Sequence, residues 1–223
     1  MLFIIDSGVE ILNFKKIFQH KISQSAFEVK KKNLIFIKKD NKCSNLHGNI
    51  ILDIMLSEIH NIEIEEIKSF RMLDSNLNSY NQLLYTCLNY ILNEYKKGVI
   101  NLSLGVLSNE CNEELFLMVN ELIKKQIYIV CAASKVISYP SVLENVISVS
   151  DLNMYKNDRT EIKHKIDFVV DIDSYNYPFI PCSATSFSAP FVTAKAAEIL
   201  QTKKIDNIFQ LKEELSKHFM RWE

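Results

Sequence analysis

Short apolar runs alternate along this chain with longer stretches in which apolar residues recur every three to four positions. Leu2–Ile5, Leu34–Ile37, Ile67–Leu73, Val99–Leu104, Ile127–Ala133 and Val146–Val149 read as strands, several of them buried on both faces. Between them, His47–His60 gathers Ile50, Ile51, Ile54, Met55 and Ile59 on one side of a helix. Leu77–Lys96, Glu110–Lys125, Ser186–Gln201 and Asp206–Phe219 carry similar stripes, the last turning Ile205, Ile208, Leu211, Leu215 and Phe219 inward. Strand followed by helix, repeated, requires right-handed crossovers and predicts an α/β fold around a mostly parallel sheet. Gly98 is expected to end the helix before it. Trp222, beyond the last helix, docks on the domain or on a partner; the pattern leaves both open.

Composition narrows this picture. A chain of 223 residues, 48% hydrophobic and 24% charged, has the material for one core, and residues 1–223 are expected to form one domain. A formal net charge of -1 gives no electrostatic argument for nucleic acid or an acidic membrane as partner. The Lys30–Lys32 run reads as a solvated face. No apolar stretch has the length to span a bilayer, and Met1–Ile5 is too short for a signal peptide, so a cytoplasmic location is expected. Five widely spaced cysteines with no CxxC pair fit reduced thiols. Cys131 reads as a core residue, and Cys182 ranks well behind Ser186 as a nucleophile. Asp167, Asp171 and Asp173 lack the glycine turn and spacing of a calcium loop and read as solvated, so no metal or cofactor is expected.

Three residues fall where chemistry is expected. Asp6 ends the first strand, at the carboxyl edge where open α/β sheets gather their sites. His47 opens one helix and Ser186 a later one, where backbone N–H groups and the helix dipole favour a developing oxyanion. A serine hydroxyl needs a base, and an imidazole needs an acid to fix its tautomer. Taken singly, each is better explained as a cap, a turn or a surface residue.

Their surroundings carry more weight. Phe3-Ile4-Ile5-Asp6-Ser7-Gly8-Val9, His47-Gly48-Asn49, Val99-Ile100-Asn101-Leu102-Ser103-Leu104-Gly105, Tyr139-Pro140 with Val146–Ser150, and Ala184-Thr185-Ser186-Phe187-Ser188-Ala189-Pro190 occur in this order. Together they resemble the ordered motifs of the subtilisin-like serine peptidases. That resemblance implies a three-layer α/β/α subtilisin-like fold and an Asp6, His47, Ser186 triad acting through an acyl-enzyme. It also implies that Ser103, Leu104 and Gly105 pair with an extended peptide, with Ala132 and Ala133 as the opposite cleft wall. A compact intracellular member is expected, without a propeptide, suited to processing a precursor or leader peptide.

One departure touches the chemistry. The family places Asn after Ala-Ala-Gly as an oxyanion donor, whereas this chain reads Ala132-Ala133-Ser134-Lys135. Three readings follow. Lys135 supplies a charged donor; Ser134 or a backbone N–H replaces it; or the chain is an impaired peptidase that binds extended peptides. Loss of such a donor lowers turnover roughly 100- to 1000-fold, a magnitude known from subtilisin itself. A lysine at the site also disfavours protonated His47. The intact triad favours the enzyme. Ala184 for Gly and Asn49 for Thr are lesser departures.

Overall fold

The computed structural model describes residues 1–60, 63–107, 113–158, 160–162, 164–175 and 185–222. Its strands are β1 (Leu2–Asp6), β2 (Ile22–Lys30), β3 (Asn33–Ile37), β4 (Ile67–Arg71), β5 (Gly98–Leu102), β6 (Val106–Leu107), β7 (Ile127–Ala132), β8 (Ser138–Tyr139), β9 (Ile147–Asp151), β10 (Phe168–Val170) and β11 (Met220–Arg221). Its helices are α1 (Lys16–Gln19), α2 (His47–Glu58), α3 (Asn81–Glu94), α4 (Glu113–Lys124), α5 (Leu152–Asp158), α6 (Ala189–Thr202) and α7 (Ile208–Leu215). Among the described residues one sheet runs β11-β10-β9-β7-β5-β1-β4-β2-β3. Only its outermost pairs, β2 with β3 and β10 with β11, are antiparallel. The mostly parallel α/β fold is therefore as the strand-helix alternation predicts.

Successive side chains leave a strand on opposite faces, and the central strands use both. In β1, Leu2 and Ile4 join a core with Ile51 and Met55 of α2, Phe191 and Val192 of α6, and Leu211 of α7. Phe3 and Ile5 join the other core with Leu84 and Cys87 of α3 and Leu115 and Val119 of α4. Two helical layers thus enclose one sheet. Continuous burial along β1 and β5 explains why these strands read as mostly apolar runs, whereas β9 buries Ser148 and Ser150 along with Ile147 and Val149.

The structure adds what the periodicity missed. Strand β2 carries Ser23, Gln24 and Ser25, too polar to read as a buried run, yet it lies beside β4 inside the sheet. Gly98 begins β5 rather than ending α3, because the helix has already stopped at Glu94; a Cβ there would lie 2.5 Å from the Phe3 ring. Asp167 is not a solvated loop residue. Its side chain, 10% exposed, accepts from the Ser148 N–H and hydroxyl and pairs with Lys212 at 3.0 Å. Trp222 docks on the chain itself, its main-chain N–H donating to Asp167 O and its ring set edge-on to Tyr155. Cys87 and Cys131 are buried free thiols, whereas Cys182 and Cys111 lie outside the described residues. Among the described residues no helix is long and apolar enough to cross a membrane.

Candidate active site

The two-residue period that points Leu2 and Ile4 at α2 also points Asp6 at it. Strand β1 lies between β4 and β5, so Asp6 stands at the carboxyl edge of the sheet's centre. The residue is fully buried. One carboxylate oxygen accepts the Ser7 N–H at 2.7 Å, and its main-chain carbonyl accepts from Met72 and Leu73. On the first turn of α2, the His47 Nδ1–H donates to the carboxylate, with both oxygens at 2.9 Å. Nδ1 as donor leaves Nε2 as the basic nitrogen. Burial by itself would lower the pKa of this imidazole; the hydrogen bond and charge of Asp6 outweigh it and hold His47 above its ordinary 6.5.

A compact set of contacts fixes the pair. Leu46 is already helical, and the Asn45 side chain accepts the His47 N–H at 2.9 Å, capping α2. The Ser7 hydroxyl donates to Asn45 O at 2.7 Å and accepts the Gly48 N–H at 3.1 Å. Gly8, at φ +88, passes under the loop, where a Cβ would come 2.5 Å from Lys42 O. Behind it Gln24 accepts the Val9 N–H at 2.6 Å and donates to Lys42 O at 2.8 Å. The half-buried Cys43 thiol, its pKa raised by burial, donates to Asn45 O. Asn45 escaped the sequence reading, and its signal would have been an asparagine just ahead of the α2 stripe; the roles of Gln24 and Cys43 carried no such signal.

Gly48 shows how tight this packing is. A Cβ there would sit 2.3 Å from Gly8 O and 3.3 Å from the Asp6 carboxylate. Alanine normally favours a helix over glycine, but here backbone blocks it. Gly48→Ala is expected to destabilise the fold by about 1–3 kcal/mol, seen as a lower midpoint in denaturant. A midpoint at or above that of the parent would show that the α2–β1 approach is looser than described.

Ser186 lies not on a helix proper but in a 3-10 turn, Thr185–Phe187, with α6 beginning at Ala189. The turn packs beside His47. The Phe187 ring, 4% exposed, has its centroid 5.3 Å from that of the imidazole. The Ser103 hydroxyl, at the end of β5, donates to Ser186 O at 2.8 Å. Sequence elements near positions 6, 47, 103 and 186 thus meet at one edge of the sheet.

The model of the Subtilase family matches residues 4–221, nearly the whole chain. The chain belongs to the subtilase family. It is accordingly a serine peptidase by family. Solved structures share the fold: a cold-adapted subtilisin-like serine proteinase (TM-score 0.70, 17% identity, 97% of this chain and 80% of that one). Sphericase is similar (0.69, 20%, 97% and 82%), as is the S41 psychrophilic protease (0.67, 18%, 97% and 81%). No curated protein matches.

The segments expected to form the cleft lie as follows. Ser103, Leu104 and Gly105 leave β5 and run beside β7, where the Cys131 thiol donates weakly to Leu104 O at 3.6 Å. Just beyond, β6 pairs antiparallel with β8. Ala133 is buried and Ala132 half-buried, the Ala133 N–H donating to Val149 O. The two side chains nominated for the oxyanion have other partners. The Ser134 hydroxyl donates to Val136 O at 3.1 Å. The exposed Lys135 ammonium lies 2.9 Å from Asp158 and 2.7 Å from Glu161, which raise its pKa. Ala184 lies outside the described residues. Among the described residues no three His, Cys, Asp or Glu side chains gather as a metal site.

Proposed function

We propose that this subtilase is an endopeptidase that cleaves peptide bonds through an acyl-enzyme on Ser186. The observation that carries the reading is the buried Asp6 carboxylate receiving the Nδ1–H of His47, beside the turn that bears Ser186. His47 Nε2 takes the Ser186 proton as the hydroxyl attacks the scissile carbonyl, then returns it to the leaving amine. Asp6 keeps the tautomer and stabilises the imidazolium. Water, activated by the same nitrogen, then hydrolyses the ester. With Ser134 and Lys135 engaged elsewhere, the oxyanion falls to main-chain N–H groups of the Ser186 turn, at the positive end of the α6 dipole. The substrate lies extended along Ser103–Gly105, with Ala132 and Ala133 opposite.

Those same engaged side chains favour a second reading, an impaired subtilase that binds extended peptides without cleaving them. A fluorophosphonate separates the two. Endopeptidase action predicts one adduct per chain, located by mass spectrometry on Ser186 and absent from Ser186→Ala. Folded protein that binds peptide yet takes up no label would select the binder.

A further inference from the structure

Strand β5 is apolar at Val99, Ile100 and Leu102, yet between them Asn101 is fully buried. Burying an amide without partners costs about 1–3 kcal/mol on protein scales, so its hydrogen bonds tell what it is for. The strand period aims Asn101 and Ser103 at the face covered by α6. There the Thr193 hydroxyl, also fully buried, lies 2.9 Å from both Asn101 Oδ1 and Ala189 O. Asn101 Nδ2–H donates to Ser103 Oγ at 3.0 Å, and the Ser103 hydroxyl donates to Ser186 O at 2.8 Å.

We propose that Thr193, Asn101 and Ser103 form a positioning chain that holds the main chain of Ser186, and with it the nucleophile, at a fixed height above β5. The inference rests on the reading of Ser186 as nucleophile. Its direction follows from the chemistry of the groups. An amide nitrogen only donates, so Ser103 Oγ accepts a hydrogen bond from Asn101 and has its own single proton to donate to Ser186 O. Thr193 closes the chain on α6, the helix that begins three residues after Ser186, so strand and helix both bear on the same short turn. None of the three side chains need touch substrate. Their effect is on geometry, where a misplacement near 1 Å costs about 100-fold in rate. The cleft role expected for Ser103 used only its backbone; the side chain has a separate task.

Ser103→Ala removes the last link with the least disturbance, and Ser103→Thr keeps the hydroxyl. Three quantities are read for each: the fluorophosphonate inactivation step separated from its binding step, the pH midpoint of labelling, and amide exchange in the peptide spanning 185–190. Ser103→Ala is expected to slow inactivation by roughly 10- to 100-fold, with binding within about twofold of the parent, an unshifted pH midpoint and faster exchange in that peptide. Ser103→Thr should recover most of the rate, and Thr193→Val should show a smaller loss of the same kind. The proposal is overturned if Ser103→Ala reacts at the parental rate, or if its loss appears as a shifted pH midpoint. Were the parent itself unreactive, the endopeptidase reading would fail by that fact. Exchange in Ser103→Ala against the parent would still decide the clamp: unchanged exchange sinks it.

Discussion

Alanine at His47 is expected to lower kcat about 10⁶-fold, a magnitude known for subtilisin itself, and asparagine at Asp6 about 10⁴-fold, a magnitude known for the same change in the chymotrypsin-type triad. The double variant should be no slower than His47→Ala alone, because Asp6 acts only through the imidazole. An amide at position 6 can donate to Nδ1, which turns the tautomer and leaves Nε2 protonated, unable to accept the serine proton. The pH profile adds a second readout. Activity requires neutral His47, so the rising limb should centre above the ordinary 6.5, where the Asp6 hydrogen bond and charge hold the imidazole against its burial. In Asp6→Asn the raising influence is removed and burial remains, so the residual activity should titrate at lower pH. A limb that stays in place in the variant, or losses that multiply in the double variant, would separate Asp6 from the chemistry.

The second large effect concerns stability. Arg71, at the end of β4, has a side chain only 7% exposed. It donates to Asp40 at 2.6 Å and to Glu28. Gln24 reaches Asp40 in turn, linking this ion cluster to the contacts beneath Gly8 and Val9. Removing one partner of a buried pair strands the others, so Arg71→Met should destabilise by about 3–5 kcal/mol and lower the melting temperature by roughly 10 °C. Arg71→Lys should not restore it, for an ammonium lacks the fork that serves two carboxylates. Lys30 first, then Arg71, hold Glu28 down to about 2. A depressed carboxyl contributes stability above its ordinary 4.5 that is lost as pH falls towards 2. Acid also neutralises the carboxylates stranded in the variant. The gap between parent and Arg71→Met should therefore narrow on acidification, as thermal melts at several pH values would reveal. A gap constant with pH would mean that Arg71 contributes through its methylenes alone.

Much of this architecture was legible one residue at a time. The runs around Ile4, Ile100, Ile129 and Ile147 announced buried parallel strands because both of their faces are covered. The stripes of α2 and α7 predicted their inner faces, down to Ile51, Met55, Leu211 and Leu215. Strand β2 was hidden by Ser23, Gln24 and Ser25, whose polarity makes sense only once Gln24 is seen holding Val9 and Lys42. Asp167 looked like a solvated acid because its partners, Ser148 and Lys212, stand 19 and 45 positions away.

The same division runs through the site. Residue types and their order nominated the groups: a carboxylate ending a central strand, an imidazole beginning a helix and a serine before another. Local preferences for strand, cap and helix act over a few neighbours, and those the linear order expresses. Where each side chain ends up is another matter. The Asp6–His47 bond, the Phe187 ring on the imidazole, the pairing of Lys135 with Asp158 and Glu161, and the Thr193–Asn101–Ser103 chain all join distant positions. Such contacts exist only after the sheet closes and the helices settle on it, because hydrogen bonds of fixed length and angle depend on packing that no local pattern encodes.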